Sequence, residues 1–330
     1  MLNNPMSEKN KILKCIDFHT HIYPQNHLRS SLSDSTLQKI KGVSKYYSSI
    51  SHAVQQKMHL VPESLRKSID PVLLSFTLPT LAVNSTIEDL QSEISQNNLT
   101  CAVVASHPAQ IPNQFILEQT ALFKNTIPCL TLTQTESDQL FFQTDALSHP
   151  QYLLKINPMA QDFDLDNETT KNILELWNQN TWPLLVHTGA LYSSFFKHPE
   201  AGNINSLSTL VSKYPKIHFI LLHMNIFKPY EALEFCAKYE NTSVSTSWQS
   251  EELITVAAKK LGSERVLFSS DWPLVGNNIQ IRKNQIINLM NKNYLTEQET
   301  ENILFNNARN ILEKYFSKSL DSICNQVVND

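Results

Sequence analysis

Residues 16–21 read Ile16-Asp17-Phe18-His19-Thr20-His21, an apolar run ending in two histidines spaced i, i+2. Side chains of a strand alternate between faces, so His19 and His21 point the same way. Two neutral imidazoles converging from one strand end make half of a transition-metal site. Alone, such a pair is more often two surface histidines, and the later runs carry the argument. Pro183-Leu184-Leu185-Val186 ends in His187-Thr188-Gly189, and His218-Phe219-Ile220-Leu221-Leu222 ends in His223. Arg265-Val266-Leu267-Phe268-Ser269-Ser270 ends in Asp271-Trp272-Pro273. Each metal-type side chain stands at the C-terminal end of a strand-like run. In an eight-stranded parallel barrel all such ends open on one face, where the active site lies.

Working outward, strand and helix patterns alternate from about residue 84, with strands predicted at 13–18, 101–105, 128–132, 152–156, 184–186, 218–222, 243–246 and 266–269. Ser85-Thr86-Ile87-Glu88 and Thr296-Glu297-Gln298-Glu299 read as capping boxes. Ser250 caps a helix that Gly262 stops, residues 205–214 read as one helix, and 307–316 as the last. Strands alternating with helices imply a parallel sheet, and eight such units fit the α/β (β/α)₈ TIM barrel. A doubly wound open sheet gives no reason for ligand-type residues on the first, fifth, sixth and last strands. Residues 22–83 are too long for a simple βα connection and carry helical patterns near 36–60 and 62–69. They are expected to form a helical cap inserted after the first strand. The expected domain plan is a disordered polar tail at 1–11, the barrel at 12–316 with its cap at 22–83, and a loose tail at 317–330.

The chain has 330 residues, is 41% apolar, carries a net charge of -4 and has a pI near 6.3. That balance gives no electrostatic case for nucleic acid or an anionic membrane. No apolar stretch reaches membrane-spanning length, and the polar N-terminus lacks a secretory apolar region. The five cysteines are an odd number without CxxC spacing and read as buried thiols of a reducing compartment. The expectation is a cytoplasmic protein that acts on a small molecule, with a homodimer as the assembly to consider. No glycine-rich phosphate loop and no G-x-S-x-G elbow occurs, which argues against nucleotide chemistry and against a serine hydrolase.

The set Asp17-x-His19-x-His21-x-x-Pro24, His187-Thr188-Gly189, His223 and Ser270-Asp271-Trp272-Pro273 resembles the amidohydrolase superfamily. The most similar branch is the amidohydrolase-related group that includes aminocarboxymuconate-semialdehyde decarboxylase. Asn306-Asn307-Ala308-Arg309-Asn310-Ile311-Leu312 resembles that branch's closing helix, and Lys155-Ile156-Asn157-Pro158 its fourth strand. The resemblance implies that His19, His21, His187 and Asp271 hold one divalent ion. Nitrogen-rich ligation favours zinc (Zn2+). Such an ion draws the pKa of a bound water toward ~7. His223 is then a general acid/base, and Asp271 a ligand, a proton acceptor or both. Asp17 orients a ligand histidine or is a satisfied polar group at the barrel base. Lys155 corresponds to a lysine that bridges two metals in some superfamily members, or it forms an ion pair beneath the pocket. Trp248 and Trp272 wall the pocket or pack at its rim. Arg29 and Arg66, in the insertion, reach a substrate carboxylate or are solvated. The chain departs from the branch at His223-Met224-Asn225, where the usual pattern is HGG. Met224 therefore narrows the space beside the metal.

Three functions compete. The leading expectation is a metal-dependent hydrolase of a C–N or C–O bond. The second is a metal-dependent non-oxidative decarboxylase, in which the ion stabilises charge on a substrate oxygen. The placement of Arg29 or Arg66 separates these two. The third is a barrel retained for binding or structure, against which the intact set of five ligand-type residues argues.

Overall fold

The apolar runs form β1 (Ile16–Thr20), β2 (Cys101–Ala105), β3 (Thr126–Thr131), β4 (Leu153–Ile156), β5 (Pro183–His187), β6 (His218–Leu222), β7 (Thr242–Ser245) and β8 (Val266–Leu267). All are parallel and paired in chain order. The structure is a computed structural model and describes residues 13–24, 33–75, 84–107, 111–132, 151–159, 164–192 and 196–325. β1 meets the chain around β8 through Phe18 N–H to Phe268 O (3.1 Å), Asp271 N–H to His19 O (2.9 Å) and His21 N–H to Trp272 O (2.7 Å). The eight strands thus form the (β/α)₈ TIM barrel that the alternating patterns predict. β8 stops at Leu267 because side chains take over the pairing beyond it. Ser269 N–H bonds Thr246 Oγ1 (3.2 Å) and Ser270 N–H bonds Asp17 Oδ1 (3.0 Å).

Among the described residues the α-helices are α1 (Asp34–Gln55), α2 (Glu63–Ser75), α3 (Ile87–Gln96), α4 (Asn113–Ala121), α5 (Glu168–Asn180), α6 (Ser208–Lys213), α7 (Pro229–Lys238), α8 (Glu251–Leu261), α9 (Ile279–Asn291), α10 (Glu297–Glu301), α11 (Asn307–Phe316) and α12 (Leu320–Cys324). The capping box at Thr296 stands as read, but the earlier one is set by Thr86 with Asp89, one residue later than the sequence pattern suggests. The helix read over 205–214 is split into a 3₁₀ turn, Ile204–Leu207, and α6.

Strand alternation builds two cores. Ile16, Val103, Cys129, Leu153, Leu185, Ile220 and Leu267 form one cluster with α11 and α12, whereas Val104, Leu130, Leu154, Val186 and Leu221 pack toward the surrounding helices. The terminal helices cross the N-terminal ends of the strands: Tyr315 O–H donates to Tyr152 O (2.7 Å), and Asn125 N–H donates to Cys324 O (2.9 Å). This corrects, over 317–325, the loose tail expected at 317–330, whose last residues lie outside the described ones. Leu320, Ile323 and Cys324 are buried, because an apolar i, i+3, i+4 set on a short helix has the barrel floor to cover. The tail expected at 1–11 lies outside the described residues. The five cysteines are buried free thiols, and among the described residues no helix is long and apolar enough to cross a membrane.

Within 22–83, α1, a 3₁₀ turn (Met58–Leu60) and α2 are helical. Met58 joins a third apolar cluster with Met159, Leu191, Ile226, Phe227 and Trp248, which follow β4, β5, β6 and β7. The cluster roofs the C-terminal face of the barrel.

Candidate metal centre

β1 carries one extra residue. Asp17 pairs with Ala102 and Thr20 with Val104, so three steps of β1 run against two of β2. The bulge shifts the alternation: His19 and His21 stay together, and Asp17 leaves their face. Strict alternation over residues 17, 19 and 21 would have kept Asp17 with the two histidines. Its Oδ1 accepts from the backbone N–H of His19 (3.3 Å) and of Ser270 (3.0 Å), so it ties β1 to the chain after β8 rather than touching a histidine ring.

Asp271 projects from the chain after β8. Its Oδ1 lies 3.3 Å from His19 Nδ1 and 3.5 Å from His21 Nε2. Two ligands ~2.1 Å from one tetrahedral ion stand about 3.4 Å apart, so these spacings suit neighbouring ligands. His19 Nδ1 and Asp271 Oδ1 are buried without a hydrogen-bond partner. Buried polar atoms are rarely left so, and a cation satisfies both. Among the described residues, His19, His223 and Asp271 form a group whose donor atoms all lie within 4.8 Å of one another. His187 stands beside it, its ring 4.8 Å from that of His223, with Nε2 3.3 Å from Gly189 O.

Second partners orient each donor. His21 Nδ1 is 2.8 Å from Ala105 O and must carry the proton, which leaves Nε2 a lone pair toward Asp271. Trp248 Nε1–H donates to Asp271 Oδ2 (2.7 Å) and leaves Oδ1 open. Lys155 Nζ donates to His19 Nε2 (2.9 Å), which leaves the ring proton on Nδ1, so an ion bound at Nδ1 would displace that proton. Burial, with Lys155 nearby, holds His19 and His21 well below the usual imidazole range and His187 at about 3. Burial and His187 do the same for His223. The four rings are neutral, the form that ligates. Burial lifts Asp17 and Asp271 to about 7 and lowers Lys155 to about 8.

The remaining sequence candidates are placed as follows. Arg66 is buried in the roof, bonded to Asp70 Oδ2 (3.1 Å) and Ala190 O, and lies 3.6 Å over the Phe227 ring. It is not a solvated surface arginine. Arg29 lies outside the described residues. Trp248 is in the roof, whereas Trp272 is in the core between sheet and helices. Sequence reasoning passed over His107, just beyond β2, whose ring centroid lies 5.8 Å from that of His21. Applying the strand-end rule to Cys101–Ala105 would have found it. Ser247 and Gln249, after β7, were also missed and hold His223 (see below).

A family model described as Amidohydrolase matches residues 16–314. The chain belongs to the amidohydrolase family. No curated protein matches this family member by sequence. Its fold is similar to 5-carboxyvanillate decarboxylase from Sphingomonas paucimobilis (13% identity, TM-score 0.59, covering 91% of this chain and 98% of that one). It is also similar to dihydroxybenzoic acid decarboxylase from Polaromonas with bound manganese and 2-nitroresorcinol (15%, 0.58, 91% and 97%). A third similar structure is an uncharacterised TIM-barrel protein from Bordetella bronchiseptica (13%, 0.63, 92% and 99%).

In this amidohydrolase, Gly189 is required twice over. Its φ is +100°, and a Cβ there would stand 2.6 Å from Ile226 Cγ1 and 2.9 Å from the Asn225 carbonyl carbon. Gly189→Ala should cost about 3 kcal/mol in denaturant unfolding, from overpacking plus the left-handed backbone. A loss under about 0.5 kcal/mol would mean that this contact is soft.

Proposed function

We propose that the chain is a divalent-metal-dependent enzyme that removes a carboxyl group, without oxidation, from a small carboxylic acid. The observation that carries the metal site is the buried pair His19 Nδ1 and Asp271 Oδ1, 3.3 Å apart and each without a hydrogen-bond partner. His19, His21 and Asp271 would hold the ion, with His187 adjacent. Zinc and manganese both suit such N/O donors, and the Polaromonas decarboxylase holds manganese. A bound ion would supply positive charge against the charge developing on a substrate oxygen.

Two observations favour decarboxylation over the hydrolysis that the sequence put first. Met58, Met159, Leu191, Ile226, Phe227 and Trp248 give the roof an apolar face, and an apolar surrounding favours loss of a carboxylate as neutral CO₂. The similar folds with known activities above are decarboxylases. Ser269 Oγ donates to Ser247 Oγ (3.0 Å), which leaves the Ser247 hydroxyl free to donate to His223 Nδ1 (2.8 Å). The proton of His223 then sits on Nε2; as it passes to the carbon that loses CO₂, the Ser269–Ser247 chain returns a proton from solvent to Nδ1, so the ring stays neutral. Arg66 in the roof is the proposed contact for the substrate carboxylate, through its Nε–H, which has no hydrogen-bond partner.

Hydrolysis is the second reading. It draws support from Asp271, a buried carboxyl group beside His19 and His21 that is placed to take a proton from a water next to the ion. Elemental analysis after mild purification, followed by zinc or manganese addition, tests the common ground of both. About one equivalent per chain is expected. Less than about a tenth, with no uptake on addition, removes the metal site and both readings.

A further inference from the structure

The chain after β6 turns through four consecutive left-handed residues: His223 (φ 65°), Met224 (47°), Asn225 (60°) and Ile226 (40°). None is glycine, and an L-residue is disfavoured at each of these φ values. A β-branched Ile at φ 40° is the most costly of them. Such a turn persists only where its surroundings over-determine it.

We propose that Gln249 is a positioning residue that holds this turn and thereby sets the His223 imidazole. This rests on the reading of His223 as the proton-carrying group. Gln249 is 1% exposed. Its Nε2 donates to both ends of the turn, to His223 O (2.6 Å) and to Ile226 O (3.2 Å). Its own backbone carbonyl accepts from Arg282 Nη1 (3.1 Å) and Gln285 Nε2 (2.9 Å) on α9, so the clamp stands on a rigid helix. The other ties hold one end or the middle. Ser245 Oγ accepts from His223 N–H (3.1 Å), and Thr188 Oγ1 accepts from Asn225 N–H (2.8 Å). Gln249 alone among these side chains spans the turn, and it does so with one amide group. Among the described residues, Arg282 is engaged with Gln249 O, Gln285, Gln55 and Asn277, and so is not free to take its place. Where a chain has glycines after this histidine, the backbone reaches these angles without a clamp. Here Gln249 takes that part.

The test is the nitrogen NMR spectrum of the His223 ring in full-length, zinc-loaded protein labelled at histidine. The His223 signal is assigned by its loss in His223→Asn. Wild type should show one fixed tautomer. In Gln249→Ala the His223 signal should shift toward a tautomer average, while that of His218, on the far side of β6, stays in place. Adding Met224→Gly and Asn225→Gly to Gln249→Ala should return the signal to its wild-type position. With any substrate found, Gln249→Ala should lower kcat by about 10²-fold with little change in KM, as expected for a misplaced catalytic group. An unchanged His223 signal in Gln249→Ala, even with a lowered melting temperature, would overturn the proposal. So would a shifted signal that the glycines fail to restore. Full turnover in His223→Asn would refute the role of His223 itself, a separate failure that the NMR comparison does not share.

Discussion

His19→Ala is expected to lose the metal while keeping the barrel. Bound divalent ion should fall from about one equivalent to under roughly a tenth, because two or three donors in place of a full set hold a catalytic ion weakly. The far-ultraviolet circular dichroism should stay within error of wild type. The reason lies in where stability resides. His19 stands at the mouth, whereas the core is carried by alternating strand residues such as Val103, Leu185 and Ile220, by the helix layer, and by α11 and α12 across the floor. His19 is also costly to keep, as a buried imidazole whose Nδ1 lacks a partner. Its removal should therefore leave the metal-free protein as stable as wild type without metal, or slightly more so. Unfolding of the variant, or of wild type on chelation, would make the ion structural. Retention of a full equivalent would move the site away from His19.

His223→Asn should depress turnover by roughly 10²–10⁴-fold with metal retained, the usual span for loss of a positioned acid/base. Asn keeps a hydrogen bond to Ser247 within reach but cannot carry a proton between Nδ1 and Nε2. His223 belongs to the three-donor group, so metal content must be measured alongside. Loss of the ion in this variant would place His223 among its ligands. Undiminished turnover would end its role as acid.

Strands such as Cys101–Ala105 and His218–Leu222 were legible to the residue, because each is a continuous apolar run bounded by polar residues. The end of β8 was not, because Thr246 and Asp17, far away in sequence, take over its pairing. The site was legible as a set of residues at strand ends, since barrel geometry brings those ends together whatever the loops do. Its finer arrangement was hidden. The bulge that turns Asp17 away depends on register between β1 and β2, which no single run encodes. The left-handed turn at His223–Ile226 bears none of the glycine that usually marks such a turn. Arg66 looked like a surface arginine until the roof placed Asp70, Ala190 and Phe227 around it.

The most direct test is release of CO₂ from carboxyl-labelled 5-carboxyvanillate and dihydroxybenzoate, the acids named for the similar folds, by the metal-loaded protein, followed by carbon-13 NMR, with His19→Ala as the control. Labelled CO₂ and bicarbonate should appear only with the ion bound and only in the protein that retains His19. A metal-loaded protein that leaves every carboxylate intact, yet cleaves an ester, lactone or amide at a rate set by the same ion, would contradict decarboxylation and establish the hydrolase in its place.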